Sequence, residues 1–233
     1  MTTLPATPHR PWWPWLLWLA GLAAIVALAF AVRDVPYFPI DVAVTQALQA
    51  AGSPTVDALA LAIDWFGYVP QVFIMVALCA LMLWVAGRRW EGLWLMLGMS
   101  SEGTWAQFIK FLVQRPRPTE AAGVRVIQLH GDATFPSGHV FCYVVVFGLL
   151  LYFAYRYTRP SRWLGLAAAA LAAFTLAAGV VRLYLGAHWL TDVLAGYLLG
   201  ALWLPVLIVA YQWVVARFRL RQPARAPPAS LAR

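Results

Sequence analysis

Charge is what this sequence has least of. Only 11% of its 233 residues are Asp, Glu, Lys or Arg, 63% are hydrophobic, and the mean hydropathy is +0.72. Soluble domains carry roughly 25% charged and about 45–50% apolar residues. A soluble fold is therefore excluded and an integral membrane protein indicated. Cysteine is nearly absent. Cys79 and Cys142 both fall within apolar runs, which excludes a disulfide framework or zinc cluster and leaves two small buried hydrophobes. A cleavage site is missing too. The first apolar run, 12–32, is followed by Arg33-Asp34-Val35-Pro36, so it reads as a retained span and not as a signal peptide. The two halves of the chain do not resemble each other, and the charges sit at span ends. Both facts oppose a transporter or channel, which would show internal repeats and broken spans at mid-membrane.

What is present is a series of long apolar runs at 12–32, 69–86, 93–113, 140–157, 163–181 and 189–215. The fold expected is all-α and integral to the membrane, with six transmembrane helices in one catalytic domain, 12–215. A lead at 1–11 and a basic, proline-rich, disordered tail at 216–233 flank it. Between the first two spans, Pro36 and Pro39 break the chain and 41–50 reads as a short helix. Ser53-Pro54 then reads as an N-cap with proline at the first helical position and Asp57 in the first turn. These two helices are too short to cross and are expected to lie at the interface.

An even number of spans puts both termini on one side. Arg10, Arg88, Arg89, Arg156, Arg159, Arg162 and the tail arginines share that side and hold most of the 17 Lys and Arg residues. The termini are therefore expected to be cytoplasmic. The net charge of +8 is read as topology and contact with anionic lipid, not as nucleic-acid binding. Arg33, Lys110, Arg115, Arg117, Arg125 and Arg182 remain on the outer side against that rule and need another reason.

The reason offered by topology is a site. Lys110 and Arg117 close the third span, Ser137, Gly138 and His139 open the fourth, Arg182 closes the fifth, and His188 and Asp192 open the sixth. All of them fall on one face of the membrane. Ionisable groups at membrane depth are costly and usually functional. Three cations suit the oxygens of a phosphoryl group, and a helix N-terminus opened by Ser137-Gly138 favours anions. Two histidines remain for a nucleophile and a general acid. His188 is the better nucleophile, since Asp192 four residues on shares its helix face and can orient the ring. His139 is then the general acid. No cluster of carboxylates for a magnesium site is visible on this side, and no metal or cofactor is expected.

Lys110-x6-Arg117-Pro118, Pro136-Ser-Gly-His139 and Arg182-x5-His188-x3-Asp192 together resemble the three-part signature of the type 2 phosphatidic acid phosphatase (PAP2) superfamily. That superfamily includes bacterial undecaprenyl-diphosphate, phosphatidylglycerophosphate and lipid A phosphatases, and vanadium haloperoxidases. The resemblance covers about residues 93–200. It implies a phosphohistidine at His188 supported by Asp192, proton donation by His139, and phosphate held by Lys110, Arg117, Ser137, Gly138 and Arg182. It also implies metal independence and an outward-facing site, which in a bacterial inner membrane faces the periplasm. The substrate would be a membrane lipid phosphate or diphosphate such as undecaprenyl diphosphate, phosphatidate or phosphatidylglycerophosphate. The sequence departs from the pattern at Val181, where the family has serine. One phosphate hydrogen bond is then missing, or another hydroxyl such as Tyr184 supplies it.

A phosphotransferase passing the same phosphohistidine to another acceptor is the alternative enzyme, and a haloperoxidase gives no reason for six spans. Among the remaining polar residues, Arg115 and Arg125 read as solvated loop charges, and His130 and Asp132 as loop polarity. Glu102 reads as a hydrogen-bonding partner within the bundle, or else as a counter-charge orienting a cation. Trp65, Phe66 and Tyr68 are placed to shape a lateral entrance for lipid.

Overall fold

The computed structural model describes residues 12–218. The expected lead at 1–11, and all but the start of the expected tail, lie outside the described residues. Within them every regular element is helical: α1 (Trp13–Asp34), α2 (Pro39–Gln49), α3 (Pro54–Trp65), α4 (Val69–Val85), α5 (Arg89–Val113), α6 (Gly138–Tyr157), α7 (Arg162–Tyr184) and α8 (Leu190–Arg217), with one 3-10 turn at Glu120–Ala122.

Local chemistry sets the boundaries. Ser53 caps α3 by accepting a hydrogen bond from the Val56 amide at 3.3 Å, followed by proline in the first turn. Ser161 caps α7 through Leu164 N at 3.2 Å. Asp41 closes the start of α2 by accepting from Phe38 N at 2.9 Å. Gln114, at φ 53°, ends α5 in the left-handed conformation and turns the chain into the loop that carries Arg115 and Arg117.

Helix α6 is the centre of the bundle, with α5, α7 and α8 packed around it. Its Phe141, Val145, Val146 and Leu149 are buried against Leu95 and Met99 of α5 and Leu207 and Tyr211 of α8. Helix α1 lies against α8, where the Trp18 indole donates to the Leu202 carbonyl at 3.0 Å. An apolar groove of about 650 Å3 runs between α1, α5 and α8, lined by Trp18, Phe30, Trp105, Phe108, Phe141 and Trp203. The end of the bundle remote from the long α5–α6 loop is tied by buried Glu91, which accepts from Tyr157 of α6 at 2.6 Å and Tyr211 of α8 at 2.5 Å. That carboxylate explains why α5 begins at Arg89, four residues before the expected start at 93. The expected start at 93 left Glu91 outside the span, but it is satisfied inside the helix bundle.

Helices α1, α6, α7 and α8 are each long and apolar enough to cross a membrane. A fifth such span exists if α3 and α4, bent by 53° at their junction, are taken together. Alone, the 17 residues of α4 rise only about 25 Å, short of the roughly 30 Å hydrocarbon core. Helix α5 has the length, 25 residues, but carries Glu91, Glu102 and Lys110. Six separate spans therefore exceed what length and composition show. The expected short helices are present as α2 and α3.

Candidate active site

Four helix ends converge on one polar cluster. Lys110 in the last turn of α5 and Arg117 in the following loop both pair with Asp132. Lys110 gives its ammonium to one carboxylate oxygen, and Arg117 Nη2 donates to the other at 2.6 Å. Arg117 Nε also reaches the Asp132 carbonyl at 2.9 Å, and its Nη1 the Ala187 carbonyl at 2.5 Å, which joins the α5–α6 loop to the chain just before His188. Burial works against ionisation of Asp132, but Lys110 and Arg117 overcome it and hold its carboxyl well below the ordinary range.

Arg182, in the last turn of α7, is 1% exposed. Its Nη1 donates to both carboxylate oxygens of Asp64 on α3 at 2.7 and 2.9 Å, and to Gln128 Oε1 at 3.2 Å. Its Nη2 lies 3.4 Å from His130 Nε2. A guanidinium only donates, so that nitrogen of His130 is the acceptor and the ring is neutral. Burial, then the charges of Arg182 and Arg117, push His130 down to about 4, which agrees.

The chain turns from α7 to α8 at Gly186, whose φ is +65° and where a Cβ would stand 2.2 Å from the Arg125 carbonyl. No side chain fits there, and the turn delivers His188 into the cluster. His188 is 1% exposed. Its Nδ1 lies 3.0 Å from Thr134 Oγ1, and the Thr134 hydroxyl donates to Asp192 Oδ2 at 2.7 Å. Thr134 spends its proton on Asp192, so its oxygen accepts from His188 Nδ1–H. The tautomer is thereby fixed, and Nε2 keeps its lone pair. The direct His188 Nδ1 to Asp192 Oδ2 distance is 3.7 Å, too long for a hydrogen bond. Burial, followed by the charges of Arg182, Arg117 and Lys110, lowers the pKa of His188 well below its usual value and keeps the lone pair available.

Asp192 is held in turn by Trp189 N at 2.8 Å and Arg115 Nη1 at 2.5 Å. Arg115 is fully buried, donating also to Thr191 Oγ1 at 2.7 Å, Asp41 Oδ2 at 2.8 Å and the Pro36 carbonyl at 3.0 Å. The reading of Arg115 as a solvated loop charge is therefore wrong. Two carboxylates from α2 and α8 fold the loop residue inward. Arg125 does behave as a surface charge, paired with Asp57 at 2.8 Å. His130 and Asp132 are not mere loop polarity, since His130 touches Arg182 and Asp132 pairs with Lys110 and Arg117.

Ser137 precedes α6, its amide donating to the Asp192 carbonyl at 3.1 Å, and Gly138 and His139 form the first turn, whose amides have no intrahelical acceptor. Among the described residues, seven buried side chains hold polar atoms without a partner. Four belong to this cluster: Ser137 Oγ, His139 Nε2, His130 Nδ1 and Arg182 Nε. Cations, orphan donors and a helix N-terminus together make an environment for a multiply charged oxyanion. Among the described residues no group of three His, Cys, Asp or Glu side chains is placed to hold a metal ion.

The structure brings Lys110, Arg117, Ser137, Gly138, His139, Arg182, His188 and Asp192 to one end of the bundle. Two supporting candidates sit elsewhere. The Tyr184 hydroxyl donates to Asp57 and not toward the cations, and Val181 packs in an apolar cluster with Ala60, Leu185 and Ala187. Glu102 lies in α5 two turns before Lys110 and hydrogen-bonds the Cys142 thiol of α6, while Lys110 takes Asp132 as its partner. Glu102 therefore has a hydrogen-bonding partner within the bundle, and it also feels the Lys110 charge. Asp64 and Thr134 were missed. Asp64 had a signal, an acid on the buried face of a short apolar helix; Thr134 had none.

A family model described as the PAP2 superfamily matches residues 91–218, more than half of the chain. Phosphatidylglycerophosphatase B of Bacillus subtilis (strain 168) is 24% identical over 196 residues, which span 82% of this chain and 93% of that protein. The crystal structure of a transmembrane PAP2-type phosphatidylglycerolphosphate phosphatase from Bacillus subtilis superposes with a TM-score of 0.76 at 20% identity, over 84% of this chain and 96% of that one. The crystal structure of Aquifex aeolicus LpxE gives a TM-score of 0.60 at 18% identity, over 76% and 98%. These likenesses concern the fold.

Proposed function

The chain belongs to the PAP2 superfamily, and from that premise we propose that it is a membrane lipid phosphatase working through a phosphohistidine at His188. One observation carries this reading: His188 is locked by Thr134 and Asp192 with Nε2 free, beside three cations that close α5 and α7 and the N-terminus of α6. A phosphoryl group takes its place among Lys110, Arg117, Arg182 and the Ser137–His139 turn, sharing or displacing the Asp132 and Asp64 carboxylates. The His188 Nε2 lone pair attacks phosphorus, the bond from phosphorus to the leaving oxygen breaks, and His139 gives that oxygen its proton. Water then attacks the phosphohistidine, His139 takes a proton from it, and inorganic phosphate leaves. Asp192 holds the cationic ring through Thr134. Fixed cations supply the charge stabilisation that dominates phosphoryl transfer.

A lipid substrate enters sideways from the bilayer. Exposed Trp65 and Phe66 flank the α3–α4 bend next to the site, and the groove between α1, α5 and α8 offers room for an alkyl chain. We place the site on the outer, periplasmic face of a bacterial inner membrane with the termini cytoplasmic, since the sequence assigns most of its Lys and Arg residues to the opposite side. Phosphatidylglycerophosphate heads the candidate substrates, because the similar Bacillus subtilis sequence and the similar Bacillus subtilis crystal structure both carry that activity in their names. Undecaprenyl diphosphate and phosphatidate follow. The test is the full-length protein purified in detergent with EDTA and assayed on all three lipids for phosphate release. Release from at least one is expected, with loss in a folded His188→Ala variant. No release from any would overturn the reading, and transfer of phosphate to an added alcohol in place of water would recast it as a phosphotransferase.

A further inference from the structure

The proposed general acid, His139, needs a proton at the moment the leaving oxygen departs, and a protonated imidazole at a buried site needs an anion beside it. The charged and titratable groups around His139 are Asp64 from α3, Tyr68 at the α3–α4 junction, Lys110 from α5, His130 from the loop, Tyr143 one turn on in α6, Arg182 from α7 and His188 before α8. Among the described residues Asp64 is the one carboxylate within 4 Å of the ring, with Oδ1 3.8 Å from Nε2. The same Oδ1 accepts from Arg182 Nη1 at 2.7 Å, and Asp64 is 3% exposed. His139 Nε2 is buried without a hydrogen-bond partner. Its ring is pinned from behind: a Cβ on Gly67 would stand 2.0 Å from His139 Cδ2, and Tyr68 meets the ring edge-on at 5.8 Å. A carboxylate therefore stands between a phosphate-binding guanidinium and an unpaired imidazole.

We propose that Asp64 is a positioning residue that charges the general acid: phosphate taken up by Arg182 frees Asp64 Oδ1 to accept from His139 Nε2–H and stabilise the imidazolium. This rests on the phosphatase reading above. Two carboxylates then serve two histidines, Asp192 for His188 and Asp64 for His139. On P–O cleavage the imidazolium proton passes to the leaving alkoxide, and the neutral ring formed accepts the proton of the attacking water.

Leaving-group dependence separates this role from a structural one. An alkoxide departing from a lipid monophosphate needs the proton, whereas p-nitrophenolate does not. Wild type and Asp64→Asn are compared on phosphatidylglycerophosphate and p-nitrophenyl phosphate, with pH profiles of kcat on the lipid. General acid catalysis is worth about 100- to 10,000-fold, so Asp64→Asn should lose roughly 100-fold or more of kcat on the lipid and under about threefold on the aryl ester. Its basic limb on the lipid should move to lower pH, because the removed anion no longer favours the charged ring. Asp64→Glu should recover most of the lipid rate. Gly67→Ala, which forces the His139 ring aside, should instead lose rate on both substrates, because that ring also takes the proton of the attacking water. If Asp64→Asn fails to fold, Asp64→Ser should show the same selective loss on the lipid. Equal losses on both substrates in the Asp64 variant, or none, would overturn the proposal and assign Asp64 to Arg182 alone. A wild-type protein inactive on both would instead overturn the phosphatase reading.

Discussion

Replacing Thr134 with valine removes one hydroxyl and nearly no volume. In the native site that hydroxyl accepts from His188 Nδ1 at 3.0 Å and donates to Asp192 Oδ2 at 2.7 Å, with no exposure to solvent. In Thr134→Val, Asp192 still has Trp189 N and Arg115, but His188 Nδ1 faces a carboxylate 3.7 Å away across a methyl group. A buried donor left unpaired costs about 1–3 kcal/mol. That cost grows in the transition state, where the ring becomes cationic. At about 1.4 kcal/mol per decade the loss in kcat should be roughly 5- to 150-fold, with KM little changed because the phosphate cations are untouched. The assay is phosphate release from phosphatidylglycerophosphate in detergent, alongside Thr134→Ser, which keeps the hydroxyl and should stay within about threefold of wild type. A Thr134→Val enzyme at the wild-type rate would refute the relay and leave Asp192 acting on His188 directly.

Arg115→Met should unfold the site more than slow it. It strands the Asp41 and Asp192 carboxylates, both fully buried, and breaking such an arrangement costs about 3–5 kcal/mol; thermal unfolding in detergent reads the loss. His130 has its pKa pushed down from its ordinary value to about 4, so the unfolded chain binds more protons than the folded one in between. Its contribution to stability is present above about pH 6.5 and is lost as pH falls toward 4. His130→Asn should flatten that part of the stability profile, and an unchanged slope would count against a neutral His130. Trp65→Ala with Phe66→Ala should impair long-chain lipid phosphates more than short soluble analogues, and equal losses would remove these rings from the entrance.

Much of the catalytic layout was legible because the chemistry is concentrated at helix ends. Lys110, the 137–139 turn, Arg182 and the His188–Asp192 pair stand out against apolar runs, and alternation of spans alone sends them to one end. The partners that complete the site come from segments whose sequence carries no such contrast. Thr134 lies in a loop without periodicity, and its role exists only because the loop folds back on α8. Arg115 sits two residues from Arg117 in an identical Arg-Pro setting, yet one points into the Asp41–Asp192 pair and the other toward Asp132. Spacing does not separate them; the left-handed turn at Gln114 and the position of α2 do. The span count was the weakest inference. Hydropathy does not reveal the 53° bend between α3 and α4, nor that Glu91 is satisfied by two tyrosines.

The central claim is that phosphate passes through His188. Steric course at phosphorus tests it most directly, using a substrate whose transferable phosphoryl group is made chiral with sulfur and oxygen isotopes. Attack by His188 followed by attack by water inverts the centre twice, so the account predicts net retention in the released thiophosphate. Net inversion would mean that water displaces the lipid in a single step, and would contradict a phosphohistidine at His188.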